Sequence, residues 1–346
     1  MKIVAKHQSR LLSFFNSAKK EVSRLLIMTH DFPDPDSLAS AYGLQHLAQS
    51  EFGIGCRIVY GGMIGRPENK EMVKMLKIPA HQLRTGDFTK YKHIALVDTQ
   101  PGFKNNSLPE ERVPLLVLDQ HKSFSKPKAK FSFISSKSGA TSAIVAKSLL
   151  ALNKPIPGKV ATALVYGIIT DTNNLLRVAG KETIRVYTKL LPYSDLKALA
   201  KIQSPQFPAS YFKTMQKAIM NAGLTGRLIS IHLGDVNNHD LVPQFAELLY
   251  SYKGATVSFC TGRHHGFLRM SLRTSKPSDL AGEILRKIVN DPGEAGGHDT
   301  VGGGMIKVGK SASESDWNKL EEKLTLKLKR VLRISEVKPV VSPFRE

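Results

Sequence analysis

Short, uninterrupted apolar runs alternate with helical periodicity through the first half of this chain. Residues 24–29, 56–60, 93–97 and 115–118 read as strands, and 37–49, 69–76, 140–152 and 159–169 as helices. Asp36 or Ser37 is the expected N-cap of the helix at 37–49. Apolar runs separated by helices predict a mainly parallel sheet covered on both faces. Helical patterns continue at 182–191 and 207–221, and Pro192, Pro205 and Pro208 punctuate the connecting region. The second half restarts with a strand at 227–233 and a helix at 241–252. A hairpin at 255–260 and 267–272 follows, then a helix at 279–289 and a final one at 315–332. Gly296-Gly297-His298 and Gly302-Gly303-Gly304 are expected to frame a flexible loop.

The polar residues change the picture most where the apolar runs stop. Three strands end in His30, Asp98 and Asp119, and ligands of parallel sheets bind beyond the carboxyl ends of strands. His30-Asp31-Phe32-Pro33-Asp34-Pro35-Asp36-Ser37 crowds one imidazole and three carboxylates onto a proline-stiffened loop. Such carboxylates repel unless a cation or proton lies among them. Asp171 emerges from the buried helical pattern at 159–169. Together with His30, Asp34, Asp36, Asp98, Asp119, Gln120 and His121, it makes a donor set suited to Mn²⁺, Mg²⁺ or Zn²⁺. Two cations about 3.5–4 Å apart can activate water and clamp a phosphoryl group. A lone aspartate at a strand end is ordinarily a cap or turn residue. The set is the signal, and Asp98 is its natural bridging carboxylate. Asp31 reads as a capping residue, His232 as structural, and His264-His265 as a turn before Gly266. Ser138 to Ser142 opens a helix whose free N–H groups could receive an anion or serve as a simple cap.

Composition sets the scale. The 346 residues suggest two domains, and 41% apolar content supports sizeable cores. No apolar run approaches the roughly 20 residues of a membrane-spanning helix, and no secretory signal is seen, so a cytoplasmic protein is expected. Cys56 and Cys260 lie in apolar segments and read as buried thiols. The formal net charge of +21 favours phosphate-bearing partners. Basic residues concentrate at Lys122–Lys130, beside the predicted site, and at 323–333, on the last helix.

Four segments, His30-x-x-x-Asp34-x-Asp36, Leu96-Val97-Asp98, Asp119-Gln120-His121 and Ile168-Ile169-Thr170-Asp171-Thr172, resemble the N-terminal motifs of the DHH phosphoesterase superfamily. Gly296-Gly297-His298 with Gly303, and Ser271-Leu272-Arg273, resemble motifs of its DHH-associated C-terminal domain. The resemblance runs from about residue 22 to 306 and is nearest the bacterial nanoRNase and phosphoadenosine-phosphate phosphatase branch.

The resemblance implies an α/β fold: a DHH domain at 1–195, a helical linker at 196–222, a smaller DHH-associated domain at 223–336 and a tail at 337–346, poorly ordered, with the active site in the interdomain cleft. It implies two divalent cations, Mn²⁺ with Mg²⁺ as the alternative. His30 and Asp34 would hold one, Asp36, Gln120 and Asp171 the other, and Asp98 would bridge. His121 would contact the scissile phosphate, Asp119 would orient its neighbours, and Arg273, Gly296, Gly297 and His298 would grip the substrate. The implied function is hydrolysis of short oligoribonucleotides, linear dinucleotides or nucleoside bisphosphates by metal-activated water, by a protein that can form a homodimer and does not engage membranes. Gln120 stands where the family has a metal-binding histidine. It could ligate through its amide oxygen, yield to water, or mark a non-catalytic nucleotide-binding module. A polyphosphate or pyrophosphate hydrolase, as in exopolyphosphatase-related proteins, is the other alternative.

Overall fold

The computed structural model describes residues 2–123, 127–176, 180–275, 280–289, 293–297, 300–335 and 338–345. The chain divides into two compact units, 1–205 and 206–346. The first opens with α1 (Lys2–Ala18), β1 (Arg24–Met28), α2 (Pro35–Phe52), β2 (Gly55–Tyr60), α3 (Pro67–Leu76) and β3 (Ala80–Gln82). It continues with α4 (Asp87–Lys90), β4 (His93–Val97), β5 (Leu116–Asp119), β6 (Phe131–Ile134), α5 (Thr141–Leu150), α6 (Gly158–Asp171), α7 (Lys181–Leu190) and α8 (Leu196–Gln203). The sheet order is β3-β2-β1-β4-β5-β6, and every pairing is parallel. Strand order reverses between β1 and β4, which places a crevice above their carboxyl ends.

The apolar runs are explained by burial on both faces. Leu25 and Ile27 of β1, Ala95 and Val97 of β4, and Leu116 and Leu118 of β5 join a core shared with α2, α5 and α6. The alternate residues Leu26, Met28, Ile94, Leu96 and Val117 face a smaller cluster covered by Phe88, Tyr91 and Leu108. The N-cap of α2 is Asp34, not Asp36 or Ser37: its side chain accepts from Ser37 N at 2.9 Å, with Pro35 opening the helix. That displacement leaves Asp36 inside the first turn, fully buried. The strands β3 and β6 and the helix α1 carry no long apolar run, and periodicity did not predict them. Helix α8, expected to be linker, buries Ala198, Leu199 and Ile202 in the first unit's core.

The second unit comprises α9 (Ala209–Met220), β7 (Gly223–Thr225), β8 (Leu228–Asp235), α10 (Leu241–Tyr250), β9 (Val257–His264) and β10 (Phe267–Thr274), then α11 (Ala281–Ile288), β11 (Gly293–Gly297), β12 (Val301–Lys307) and α12 (Glu314–Val331). Its sheet, β11-β12-β10-β9-β8-β7, is antiparallel except for β8 with β9. His265 and Gly266, both at positive φ, form the β9–β10 turn. Gly296 and Gly297 lie on a strand and pair with Gly303 and Gly302, so the expected glycine loop is a ladder. The reason is packing. A Cβ on Gly282 of α11 would sit 2.6 Å from Gly297 O, and one on Gly302 would sit 2.8 Å from Ala281 O. The helix rests directly on strand backbone. At the C-terminus, Val341 exchanges two backbone hydrogen bonds with Leu224, and Phe344 packs on Tyr252, so this part of the expected tail is anchored. Asp279, His298 and Phe124 lie outside the described residues. Among the described residues no helix is long and apolar enough to cross a membrane.

Candidate metal centre

The carboxyl ends of β1, β4 and β5 bring the predicted donors together. His30 follows β1; its Nδ1–H donates to Asp31 O at 2.9 Å, which turns Nε2 toward Asp34 Oδ1 at 3.5 Å and Asp98 Oδ2 at 3.7 Å. Asp98 is buried and adopts φ 59°, a left-handed conformation that aspartate tolerates better than most residues. Its N–H still bonds Leu118 O at 2.9 Å, which holds the turned residue on the sheet. Asp119 is the last residue of β5. Its Oδ1 accepts from His121 Nδ1 at 2.8 Å and its Oδ2 from Gln100 Nε2 at 2.7 Å.

Two overlapping clusters result. The ligand atoms of His30, Asp34 and Asp98 lie within 4.8 Å of one another, and so do those of Asp98, Asp119 and His121. Asp98 belongs to both. Asp36 approaches from the first turn of α2, and its two oxygens accept the N–H groups of Thr141 at 2.7 Å and Ser142 at 2.9 Å. The anion at the N-terminus of α5 is therefore the protein's own carboxylate. Asp171 ends α6, and Gln120 Nε2 donates to its Oδ2 at 2.9 Å. Gln120 Nε2 also lies 3.2 Å from His121 Nε2. The amide nitrogen of Gln120 is thus the atom turned to Asp171.

Burial and crowding set the electrostatics of the site. Burial, then the charges of Asp36 and Asp34, push the Asp98 carboxyl far above its ordinary range. Burial and the Asp34 charge push Asp36 up to about 7. Burial disfavours the His30 imidazolium, yet the hydrogen bond and charge of Asp34 override it and raise the imidazole to about 9. Burial would raise Asp34, but His30 and Ser37 outweigh it and hold that carboxylate below its usual range. Burial likewise disfavours charged His121, and its bond to Asp119 prevails and raises it. Crowded, buried carboxylates of this kind favour either a proton or a cation among them, and carboxylates with a neutral imidazole are suitable donors for a divalent cation. The donor set fits such ions.

Several further residues support these donors. Thr141 Oγ1 donates to Asp98 Oδ1 at 2.8 Å and accepts Gln120 N–H at 3.1 Å. Gln100 fixes Asp119 and also donates to His121 O at 3.0 Å. Asp31 accepts from Ser107 Oγ at 2.8 Å and its N–H bonds Asn105 O, so it ties the first loop to the loop after β4. Gly167 of α6 faces Asp36: an added Cβ would lie 2.9 Å from Ala39 Cβ and 3.1 Å from Asp36 Cα. In the second unit, Arg273 Nη1 donates to Ser271 Oγ at 2.8 Å, Gly296 and Gly297 belong to β11, and His298 lies outside the described residues. His232 Nδ1 lies 2.7 Å from Thr261 Oγ1 in a buried polar network with Glu321 and Arg263. Cys56 and Cys260 are free thiols.

Residues 24–168 match the model of the DHH family, N-terminal domain. The chain is 30% identical over 339 residues to the protein MJ1633 of Methanocaldococcus jannaschii, covering 96% of this chain and 69% of the relative. It is 25% identical over 298 residues to the cyclic-di-AMP phosphodiesterase GdpP of Geobacillus thermodenitrificans, covering 80% of this chain but only 44% of that protein. In fold it is similar to an exopolyphosphatase-related protein from Bacteroides fragilis, with TM-score 0.67 and 15% identity over 94% of this chain and 97% of that one. The parallel sheet, the donors at its carboxyl ends and these likenesses agree: the chain belongs to the DHH superfamily of phosphoesterases.

Proposed function

We propose that this protein hydrolyses phosphodiester bonds in short oligoribonucleotides or linear dinucleotides, with Mn²⁺ or Mg²⁺ as its resident cation. The observation that carries the reading is the position of Asp98 at the strand-order reversal, grouped with His30 and Asp34 as cation donors and close to Asp119 and His121. His30 and Asp34 would hold one cation, Asp36 and Asp171 would face a second, and Asp98 would contribute to both. Bound there, divalent cations supply positive charge that acidifies a water molecule and neutralises a phosphoryl group.

The chain's own residues do the rest. His121, whose Nδ1–H is held by Asp119, would turn its Nε2 from the Gln120 amide to a phosphoryl oxygen and, when protonated, stabilise charge that develops there. Gln100 holds Asp119 in the orientation this requires. Gln120, by donating to Asp171, positions that carboxylate; its role is orientation in addition to any ligation through its oxygen. The nucleoside bisphosphates acted on by the resembling branch have the same phosphoester chemistry and are secondary candidates. Likeness to the phosphodiesterase GdpP supports a diester substrate.

The test is hydrolysis of a labelled RNA dinucleotide, a longer single strand, a nucleoside bisphosphate and polyphosphate with Mn²⁺ or Mg²⁺. Turnover of the dinucleotide is expected. Turnover of polyphosphate alone identifies a phosphoanhydride hydrolase, and binding without turnover identifies a nucleotide-binding module. Gln120→His should leave an already active enzyme active; activity that appears only in that variant would show a lapsed enzyme.

A further inference from the structure

Beside the metal centre, within the first unit, lies a cavity of about 620 Å³. That volume is in the range of sites for nucleotide-sized ligands. One wall is Gln100, whose amide bonds Asp119 and the His121 carbonyl, so the cavity and the metal centre share a residue. Phe103, Lys104, Arg112 and Lys128 also line it, against the carboxylate of Glu110. Lys128 belongs to the basic run that the sequence places beside the site.

The wall is built, not merely exposed. Asn106 Nδ2 donates to Thr99 Oγ1 at 2.9 Å and to the carbonyls of Gln100 and Phe103 at 3.0 Å. Its Oδ1 accepts Leu108 N–H at 3.2 Å. Thr99 Oγ1 donates to Asn105 Oδ1 at 2.7 Å. Arg112 Nη2 donates to Phe88 O at 3.1 Å, which fixes the guanidinium at the rim. These bonds brace the loop after β4 and the Arg112 guanidinium, and a braced wall binds a flexible anion at less entropic cost than a mobile one.

We propose that this cavity is a second-nucleotide subsite: it takes the part of an oligonucleotide that extends away from the scissile phosphate. Lys104, Arg112 and Lys128 meet backbone phosphate, and the Phe103 ring stacks on a base. This rests on the phosphodiester reading above and narrows its substrate class to chains longer than one nucleotide. A bare phosphate chain satisfies the cations but has no use for the ring.

The experiment is equilibrium binding of a fluorescent RNA pentanucleotide to the full chain, with Ca²⁺ in place of the activating cation, across a salt series. Lys104→Glu and Lys128→Glu should each weaken binding at least about fivefold and flatten the plot of log affinity against log salt by about 0.7 or more. Phe103→Ala should weaken the pentanucleotide about tenfold while leaving competition by polyphosphate within twofold. Lys159→Glu, at the end of α6 remote from Asp171, is the charge control and should bind like the parent. The subsite is overturned if the Lys104 and Lys128 variants match the parent or the Lys159 variant. Equal losses for RNA and polyphosphate in Phe103→Ala overturn the nucleotide assignment. Because the readout is binding, a protein that fails to turn over any substrate still answers it. Circular dichroism confirms that each variant is folded.

Discussion

The Asp36 carboxylate accepts the backbone N–H of Thr141 at 2.7 Å, across 105 residues of sequence. That bond joins the first turn of α2 to the first turn of α5, and the positive end of the α5 dipole faces a buried carboxylate. Thr141 completes the arrangement through its hydroxyl, which donates to Asp98. One residue therefore orients two of the candidate metal-binding acids.

Thr141→Val keeps the shape and removes the hydroxyl. Asp98 then loses a buried donor and Gln120 N–H a buried acceptor, at a cost of about 1–3 kcal/mol of stability. Turnover of an RNA dinucleotide should fall about 10–100-fold, as expected when a group that orients metal ligands is lost. Thr141→Ser, which restores the hydroxyl, should recover most of the rate. Thermal unfolding and steady-state kinetics check both.

Gly167→Ala tests the packing behind the same acid. The new methyl would lie 2.9 Å from Ala39 Cβ and Ser142 Oγ and 3.1 Å from Asp36 Cα, so α6 must move away from α2 and α5. Overpacking of this kind costs about 1–3 kcal/mol. Mn²⁺ affinity measured by calorimetry should weaken as well, because Asp36 is displaced. A variant with parent-like affinity and stability would show that the helices yield freely.

Cation binding should be visible as stability. Burial and the neighbouring carboxylates push Asp98 and Asp36 up, and Asp34 raises His30, so these groups compete for protons that a divalent cation would displace. At a hundredfold excess over its dissociation constant, a cation adds about 2.7 kcal/mol. For a unit of this size that is a rise of about 5–10 °C in melting temperature. EDTA should reverse it, and His30→Ala should abolish most of it. Differential scanning fluorimetry with Mn²⁺ and Mg²⁺ reads the effect without any substrate.

The second unit should weaken in mild acid. Burial, opposed by Glu321 and reinforced by Arg263, holds the His232 imidazole below its ordinary value of 6.5. The unfolded chain therefore binds a proton at a pH where the folded one does not. Stability is complete above about pH 6.5 and falls as pH drops through that value toward the lower folded one. Trp317, the single tryptophan, sits on α12 over Arg263 and reports unfolding of this unit alone. Urea midpoints at pH 7.5 and 5.5 should differ, and His232→Gln should shrink the difference.

The sequence by itself determined the strand runs of the parallel sheet, because residues buried on both faces must be continuously apolar. It also determined the polar residues at their ends, because His30, Asp98 and Asp119 interrupt runs that otherwise want only hydrocarbon. The hairpin at His265-Gly266 was legible for a similar local reason, the turn chemistry of two residues. Only the tertiary structure decided what surrounds those ends. Thr141 and Gln100 have ordinary side chains and Gly167 has none, and all three matter through neighbours far away in the chain. Gly297 and Gly302 looked like loop residues because glycine lacks a side chain. The fold uses that lack to lay helix α11 directly on strand backbone. Periodicity reads the faces of an element, whereas the partner of a face, and the hydrogen bonds that cross to it, exist only once the chain has folded.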